Sequence, residues 1–234
     1  MKTKEDLTMN YQNNSVILDS GQVQVSEKNK VLRNTYLLLS GTLMFSAMVA
    51  GIAVLINMPP VNIWVNLIGS IGLLFIASKF SDRPAGLFWV FALTGFLGLT
   101  LGGVVNAYLK FIPNGGQLIA TSLFFTGTIF IALSFYAVQS KKDFSFLGGM
   151  LMVGIITAFL VGLAAYFFNW PAVSLAVSAV FVLLCSGLIL YDTSRIVNGG
   201  ETNYILATIS LYLSIYNLFL NLLHLLTAFS GGDE

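Results

Sequence analysis

The sequence predicts an all-α, polytopic integral membrane protein with seven transmembrane helices. Apolar residues make up 56% of the 234 residues and charged residues only 9%, whereas soluble domains carry about 25% charged residues. Mean hydropathy is +0.84. The apolar residues form continuous runs, which is typical of helical spans because a helix satisfies its own backbone hydrogen bonds in lipid. A water-soluble enzyme is therefore excluded, and the first partner we expect is the lipid bilayer.

The charge balance and the scarcity of metal-binding side chains exclude further classes of protein. The sequence has eleven Lys and Arg residues and ten Asp and Glu residues, a formal net charge of +1. No basic surface for nucleic acid is therefore expected. Cys185 is the single cysteine and His224 the single histidine, which argues against a disulfide and against a zinc site. No catalytic Ser/His/Asp array or metalloprotease motif is present. We therefore expect no enzymatic activity, no cofactor and no bound metal.

Polar segments divide the chain into a tail and a membrane domain. Residues 1–33 are charged and rich in Gln, Asn and Ser, and they are predicted to form a disordered cytoplasmic tail. Residues 34–230 form the seven-helix domain, at about 20 residues for each span, and residues 231–234 form a short periplasmic C-terminus. The spans are predicted at residues 35–57, 62–77, 86–109, 118–138, 146–168, 172–190 or beyond, and 204–228.

The cations beside the spans predict the orientation in the membrane. Cytoplasmic loops carry an excess of Lys and Arg, and eight flanking cations lie on the side of the tail, against Lys110 alone on the other side. The eight are Lys28, Lys30, Arg33, Lys79, Arg83, Lys141, Lys142 and Arg195. We therefore expect the N-terminus in the cytoplasm and, after seven spans, the C-terminus outside.

Spans six and seven carry polar residues at heptad spacing. The stripe of span six consists of Pro171, Ser178, Cys185 and Asp192, and that of span seven of Asn203, Ser210, Asn217 and His224, with Ser214 and Asn221 on the adjoining line. Lipid offers such groups no partner, so the two stripes are expected to face each other. Two interpretations stay open: the stripes hold the bundle together by hydrogen bonds, or they line a path for ions or protons.

Asp192 is the most informative single position, and two interpretations apply to it as well. It can form an interfacial ion pair with Arg195, three residues later on the same helix. Alternatively it lies inside the bundle, where its protonation would be sensitive to pH. In span three, Gly98 and Gly102 form a GxxxG motif, which predicts a close approach of another helix.

Several separated segments resemble a known family. Residues 186–196 (SGLILYDTSRI) and 210–219 (SLYLSIYNLF) resemble the C-terminal signature of the Bax inhibitor-1 family. Residues 31–36 (VLRNTY), 142–151 (KDFSFLGGML) and 199–204 (GGETNY) resemble its bacterial YccA-like branch. The resemblance extends from about residue 28 to the end of the chain and leaves the tail unmatched. It implies an inner-membrane protein with six helices around a central seventh.

The bacterial branch implies a protein partner. Its members are known to modulate FtsH, the membrane-anchored AAA+ protease, and to be substrates of it. The leading expectation is therefore a protein that binds and modulates FtsH, with the membrane proteins associated with FtsH as further expected partners. The tail, with Lys2, Lys4, Glu5 and Asp6, would serve as the handle through which the protease extracts it.

Other members of the family imply an alternative function, a pH-sensitive leak for calcium or other cations. In those members two aspartates on the last two helices share a proton. Asp192 matches the first of these positions, whereas Ser214 stands at the second and cannot ionise, so the two-aspartate switch is incomplete. The residues expected to sense pH or line this pore are Asp192, Arg195, Ser210, Ser214 and Asn217, and the ligands would be calcium or protons.

Overall fold

A computed structural model describes the backbone of residues 4–231 and the side chains of residues 29–231. Within this range it consists of seven α-helices and no strand. The helices are α1 (Lys4–Leu55), α2 (Ile63–Lys79), α3 (Ala85–Phe111), α4 (Gly115–Ser140), α5 (Leu147–Phe167), α6 (Pro171–Asn198) and α7 (Tyr204–Ser230). Six are long and apolar enough to cross a membrane, and α2, with 17 residues, is shorter. The predicted all-α membrane bundle is confirmed.

Left-handed backbone conformations mark the helix breaks. In the described part of the chain, positive φ angles occur at Asn57, Asn114, Lys141, Asn169 and Gly199. Asparagine and glycine adopt this conformation at low cost, which is why they commonly follow the last helical residue. After Asn57, the N–H of Met58 donates a hydrogen bond to the carbonyl of Ala53 at 2.9 Å. These breaks lie where the polar and Pro/Gly clusters predicted them.

Helix α6, whose end is predicted at residue 190 or beyond, extends well past that residue. It continues to Asn198, and Gly199, with φ of 81°, closes it by donating its N–H to the carbonyls of Arg195 and Ile196. Tyr191, Asp192 and the following residues are therefore helical. Asp192 lies almost two turns before the end of α6.

Helix α1 begins at Lys4, so helical backbone occupies most of the segment in which the sequence predicts a disordered tail. Val31 and Leu32 pack against the main hydrophobic core, which moves the start of the membrane domain a few residues before 34. Lys2 and residues 232–234 lie outside the described residues, and the side chains of Lys4, Glu5 and Asp6 are not described. The role of residues 1–33 as a protease handle stays a prediction.

Helix α7 forms the centre of the bundle. It contacts α1, α2, α3, α4 and α6, and half of its most apolar window is buried, against 17% for α5. Among the described helices, the backbone of α5 lies close to that of α6 alone, and the ring of Phe167 on α5 lies 6.0 Å from that of Trp64 on α2. Six helices therefore surround a seventh, as expected, but α5 does not contact the central helix directly.

Helices α1 and α3 approach each other closely. A Cβ atom added at Gly98 would lie 2.5 Å from the carbonyl oxygen of Ser46, and one at Gly102 would lie 2.5 Å from that of Ala50. Real Cβ atoms do not come so close to backbone, so both positions require glycine. The predicted GxxxG contact is confirmed.

The helix ends define two membrane faces. The basic face holds the loops of residues 80–84, 141–146 and 199–203, and the opposite face holds those of residues 56–62, 112–114 and 168–170. The basic face carries the flanking cations named above, apart from Lys110. That this face lies in the cytoplasm stays a prediction.

Candidate functional site

The candidate site is a carboxyl group enclosed between α6 and α7. Asp192 is 7% exposed, and the hydroxyl of Ser210 on α7 donates a hydrogen bond to its Oδ2 at 2.5 Å. The start of α7 is fixed by Asn203, whose Oδ1 accepts the N–H groups of Ile205 and Leu206. Ser210 follows less than two turns later, and this places its hydroxyl opposite Asp192.

Arg195 does not pair with Asp192. Its guanidinium lies 3.3 Å from the carboxylate of Glu201, donates to the carbonyl of Gly200 at 3.2 Å and lies 5.5 Å from the ring centre of Tyr191. The turn after α6 brings Glu201 close to Arg195, because the N–H of Glu201 donates a hydrogen bond to the carbonyl of Arg195. The predicted interfacial Asp192–Arg195 pair is wrong, and the buried alternative describes Asp192 correctly.

The residues that follow Asp192 fasten α6 to its neighbours. Thr193 and Ser194 are fully buried. The hydroxyls of Thr193 and of Tyr36 on α1 lie 3.4 Å apart. Ser194 donates to the carbonyl of Lys142 at 2.9 Å and accepts the N–H of Phe144 at 3.0 Å. Asp192 therefore lies in a part of α6 that also makes hydrogen bonds to α1 and to the loop of residues 141–146.

The two polar stripes meet at their ends and diverge between them. At the end near the opposite face, Ser178 lies 2.8 Å from Nδ1 of His224. Between the ends, Asn217 donates to the carbonyl of Leu213 in its own helix. The hydroxyl of Ser214 is buried and has no hydrogen-bond partner among the described residues. The structure thus brings Asp192 and Ser210 together and leaves Ser214 and Asn217 outside that contact.

The chemistry of this site is that of one carboxyl group and one hydroxyl. In the part of the chain that the structure describes, no three His, Cys, Asp or Glu side chains lie close enough to hold a metal ion. Calcium prefers six to eight oxygen ligands, several of them carboxylates. A lone buried carboxyl is better suited to binding and releasing a proton.

A second buried polar network was not predicted from the sequence. Tyr212 and Tyr216 stack in the middle of α7, with ring centres 6.3 Å apart. The hydroxyl of Tyr212 lies 2.6 Å from that of Ser46 on α1, and the hydroxyl of Tyr216 lies 3.3 Å from that of Thr100 on α3. The sequence feature that could have indicated this network is a pair of tyrosines four residues apart in the middle of one span, together with single hydroxyl residues in the middle of other spans.

Known proteins match this chain in sequence over nearly all of the described helical bundle. The family model described as inhibitor of apoptosis-promoting Bax1 matches residues 28–231. A protein of Escherichia coli K12 named "Modulator of FtsH protease YccA" is 48% identical over 205 residues, which is 88% of this chain and 92% of that protein. The sequence from another E. coli strain, equally similar, is named "Inner membrane protein YccA".

A protein of another bacterium is similar to a comparable degree. An uncharacterised protein of Pseudomonas aeruginosa is 45% identical over 224 residues, covering 96% of this chain and 98% of that protein. The seven-helix bundle, the C-terminal sequence segments described above and these matches all indicate the same family. The chain therefore belongs to the Bax inhibitor-1 family, and within it resembles the bacterial YccA proteins.

Proposed function

We propose that this chain is a non-enzymatic protein of the bacterial inner membrane that binds and modulates the membrane-anchored AAA+ protease FtsH. The observation that carries the proposal is the 48% identity, over 92% of its length, with a protein named as a modulator of FtsH. A match of that extent includes most of the helical bundle, so the surface through which such a modulator acts is expected here as well.

The outer surface of the bundle supports contact within the membrane. Helix α5 packs mainly on α6, and its outer side chains are exposed, with Met150 64% and Met152 66% accessible. In the membrane such a face meets either lipid or the helix of another protein. A modulator that docks through its spans leaves the N-terminal segment on the basic face accessible to the protease.

Co-purification from native membranes tests the proposal. The tagged full-length chain, extracted in a mild detergent, is expected to recover FtsH at near-stoichiometric amounts in quantitative mass spectrometry. A variant that lacks residues 2–27 should recover as much, because docking through the spans does not need this segment. An unrelated tagged membrane protein serves as the control. Intact, abundant protein without FtsH would contradict the proposal.

A shorter N-terminal segment is expected to lengthen the life of the protein in the cell. An ATP-driven protease needs an accessible segment to start extraction, and residues 1–33 are proposed to supply it. The deletion should end at residue 27, because Val31 and Leu32 belong to the packed core. Pulse-chase labelling should show slower loss of the shortened protein, whereas removal of residues 231–234 should leave the half-life unchanged. Equal half-lives of the full and the shortened chain would remove the handle from the proposal.

A second candidate function is a pH-sensitive leak for calcium or protons through the α6–α7 interface. The observation that favours it is the enclosure of Asp192 against Ser210, since an ionisable group within a span is expensive and commonly functional. The charged groups nearest to Asp192 are Arg195, on its own helix, and Glu201, in the loop that follows. Replacement of Asp192 tests this candidate.

A further inference from the structure

The basic face contains a cavity of about 560 Å³ between the loop of residues 80–84 and the start of α7. We call it the loop cavity. Its polar walls include Ser81, Asp82, Arg83 and Asn203, and its apolar walls include Leu87 and Ile205. Asn203 also fixes the start of α7 at the Asp192 site, whereas Ser81, Asp82, Arg83 and Leu87 have no part in that site.

Two helix N-termini meet at the loop cavity. Helix α3 begins at Ala85 without a side-chain cap and without an acidic residue in its first turn. The start of α7 lies against it, because a Cβ atom at Gly86 would come within 3.0 Å of Cδ1 of Ile205. The first N–H groups of α7 are capped by the side chain of Asn203. Helix α3 has no side-chain cap, and in its first turn the N–H of Gly86 donates to the carbonyl of Arg83 at 2.8 Å. A helix N-terminus carries a partial positive charge and attracts anions.

The side chains add donors to this positive end. Ser81 is 6% exposed and lines the cavity, and its hydroxyl makes no hydrogen bond to any residue of the described range. Arg83 also lines the cavity, and its guanidinium lies over the ring of Phe80. Within residues 29–231 the one ion pair is that of Arg195 with Glu201. The Ser81 hydroxyl, which lines the cavity without a protein partner among the described residues, and the exposed guanidinium of Arg83 are therefore both free to donate hydrogen bonds to an anionic group.

One carboxylate faces the same cavity. Oδ1 of Asp82 accepts a hydrogen bond from the amide of Asn203 at 2.8 Å, which holds its negative charge at the wall. A ligand that carries only negative charge would be repelled by the Asp82 carboxylate. A ligand with both a phosphate and an ammonium group satisfies Arg83 and Asp82 together.

We propose that the loop cavity binds the zwitterionic headgroup of a membrane phospholipid that carries a primary ammonium group. Arg83, the Ser81 hydroxyl and the start of α3 hold the phosphate, and Asp82 holds the ammonium. Leu87 and Ile205, in the first turns of α3 and α7, provide the apolar side along which the acyl chains leave. The cavity lies where α3 and α7, both long enough to span a bilayer, begin, and the ends of spans meet the headgroup region of a bilayer.

Lipid binding to the purified full-length chain tests the proposal. Delipidated protein in mild detergent is titrated with dioleoyl phosphatidylethanolamine, phosphatidylglycerol or phosphatidylcholine, and bound lipid is counted by native mass spectrometry. Phosphatidylethanolamine should bind most tightly. Arg83→Ala should weaken its binding about tenfold, as expected for loss of a charge-assisted contact. Asp82→Asn should remove the preference over phosphatidylcholine, whose methylated ammonium cannot donate hydrogen bonds. Lys142→Ala, on the same face but outside the cavity, should bind as the unaltered protein does.

Two results would overturn the proposal. Equal binding of the three lipids to the unaltered chain and to Arg83→Ala would show that the cavity does not select a headgroup. Displacement of the lipid by inorganic phosphate at equal concentration would show a site for the free anion instead. Ser81→Ala, which removes one hydroxyl and no charge, should weaken binding in the same direction and provides a second test if Arg83→Ala does not fold.

Discussion

Alanine at position 98 is expected to destabilise the protein by about 2 kcal/mol, in the range of overpacked helix contacts. The added methyl group would meet the carbonyl oxygen of Ser46 at 2.5 Å and its Cα at 3.0 Å. Both are backbone atoms, so α1 and α3 must separate for the methyl group to fit. Separation also lengthens the contact between the hydroxyls of Ser46 and Tyr212, now 2.6 Å, and so loosens the attachment of the central helix.

Gly51→Ala is the matched control for this prediction. Gly51 lies on α1, one of the two helices in the contact, but a Cβ atom there meets nothing within 4 Å. Alanine has the higher helix propensity, so this variant should be neutral or slightly more stable. Thermal unfolding in mild detergent compares the two variants. If both unfold at the same temperature, the α1–α3 contact does not have the importance that its geometry implies.

Asp192→Asn is expected to abolish any dependence of cation leakage on pH. Asparagine retains the shape of the side chain and an oxygen that accepts the hydrogen bond from Ser210, but it carries no charge at any pH. The single carboxyl facing Ser210 is the group whose titration would change the interface. Calcium release from proteoliposomes, followed with an indicator dye between pH 6 and 8, should vary for the unaltered chain and stay constant for the variant.

Asp143→Asn provides the control for the titration. Asp143 lies in the loop of residues 141–146, where hydrogen bonds from the hydroxyl and the N–H of Ser145 hold the pKa of its carboxyl below the ordinary value. This group is therefore already ionised throughout the range tested, and its replacement should leave the pH profile unchanged. A profile that is the same for Asp192→Asn and the unaltered chain would exclude the leak through this interface.

The helices could be predicted from the sequence because lipid imposes simple requirements. A run of about 20 apolar residues forms a span, and residues such as Asn57, Asn169 and Gly199 end one at little cost. The end of α6 is predicted only as residue 190 or beyond, because Tyr191, Asp192 and Arg195 interrupt the apolar run without interrupting the helix. Polarity indicates where a span meets water, whereas the helix ends only where backbone geometry changes.

The partners within the bundle could be predicted only in part. A heptad stripe drifts by about 20° per repeat on a straight helix, so residues on one stripe do not all face the same neighbour. Ser210 and His224 face α6, whereas Asn217 between them bonds to its own helix. The partner of Arg195 depended on the turn at Gly199, which returns Glu201 toward α6. Such contacts are set by helix rotation and loop geometry, on which composition and spacing carry little information.

The central position of α7 has a consequence for the assembly of the protein. The ribosome makes α7 after the six helices that surround it, since synthesis proceeds from the N-terminus. Until then, Ser46, Ser178 and Asp192 are in the membrane without Tyr212, His224 and Ser210, the partners that satisfy them in the finished bundle. A chain that stalls before α7 would expose unsatisfied polar groups to lipid, the condition by which a membrane quality-control system distinguishes an incomplete protein from a complete one.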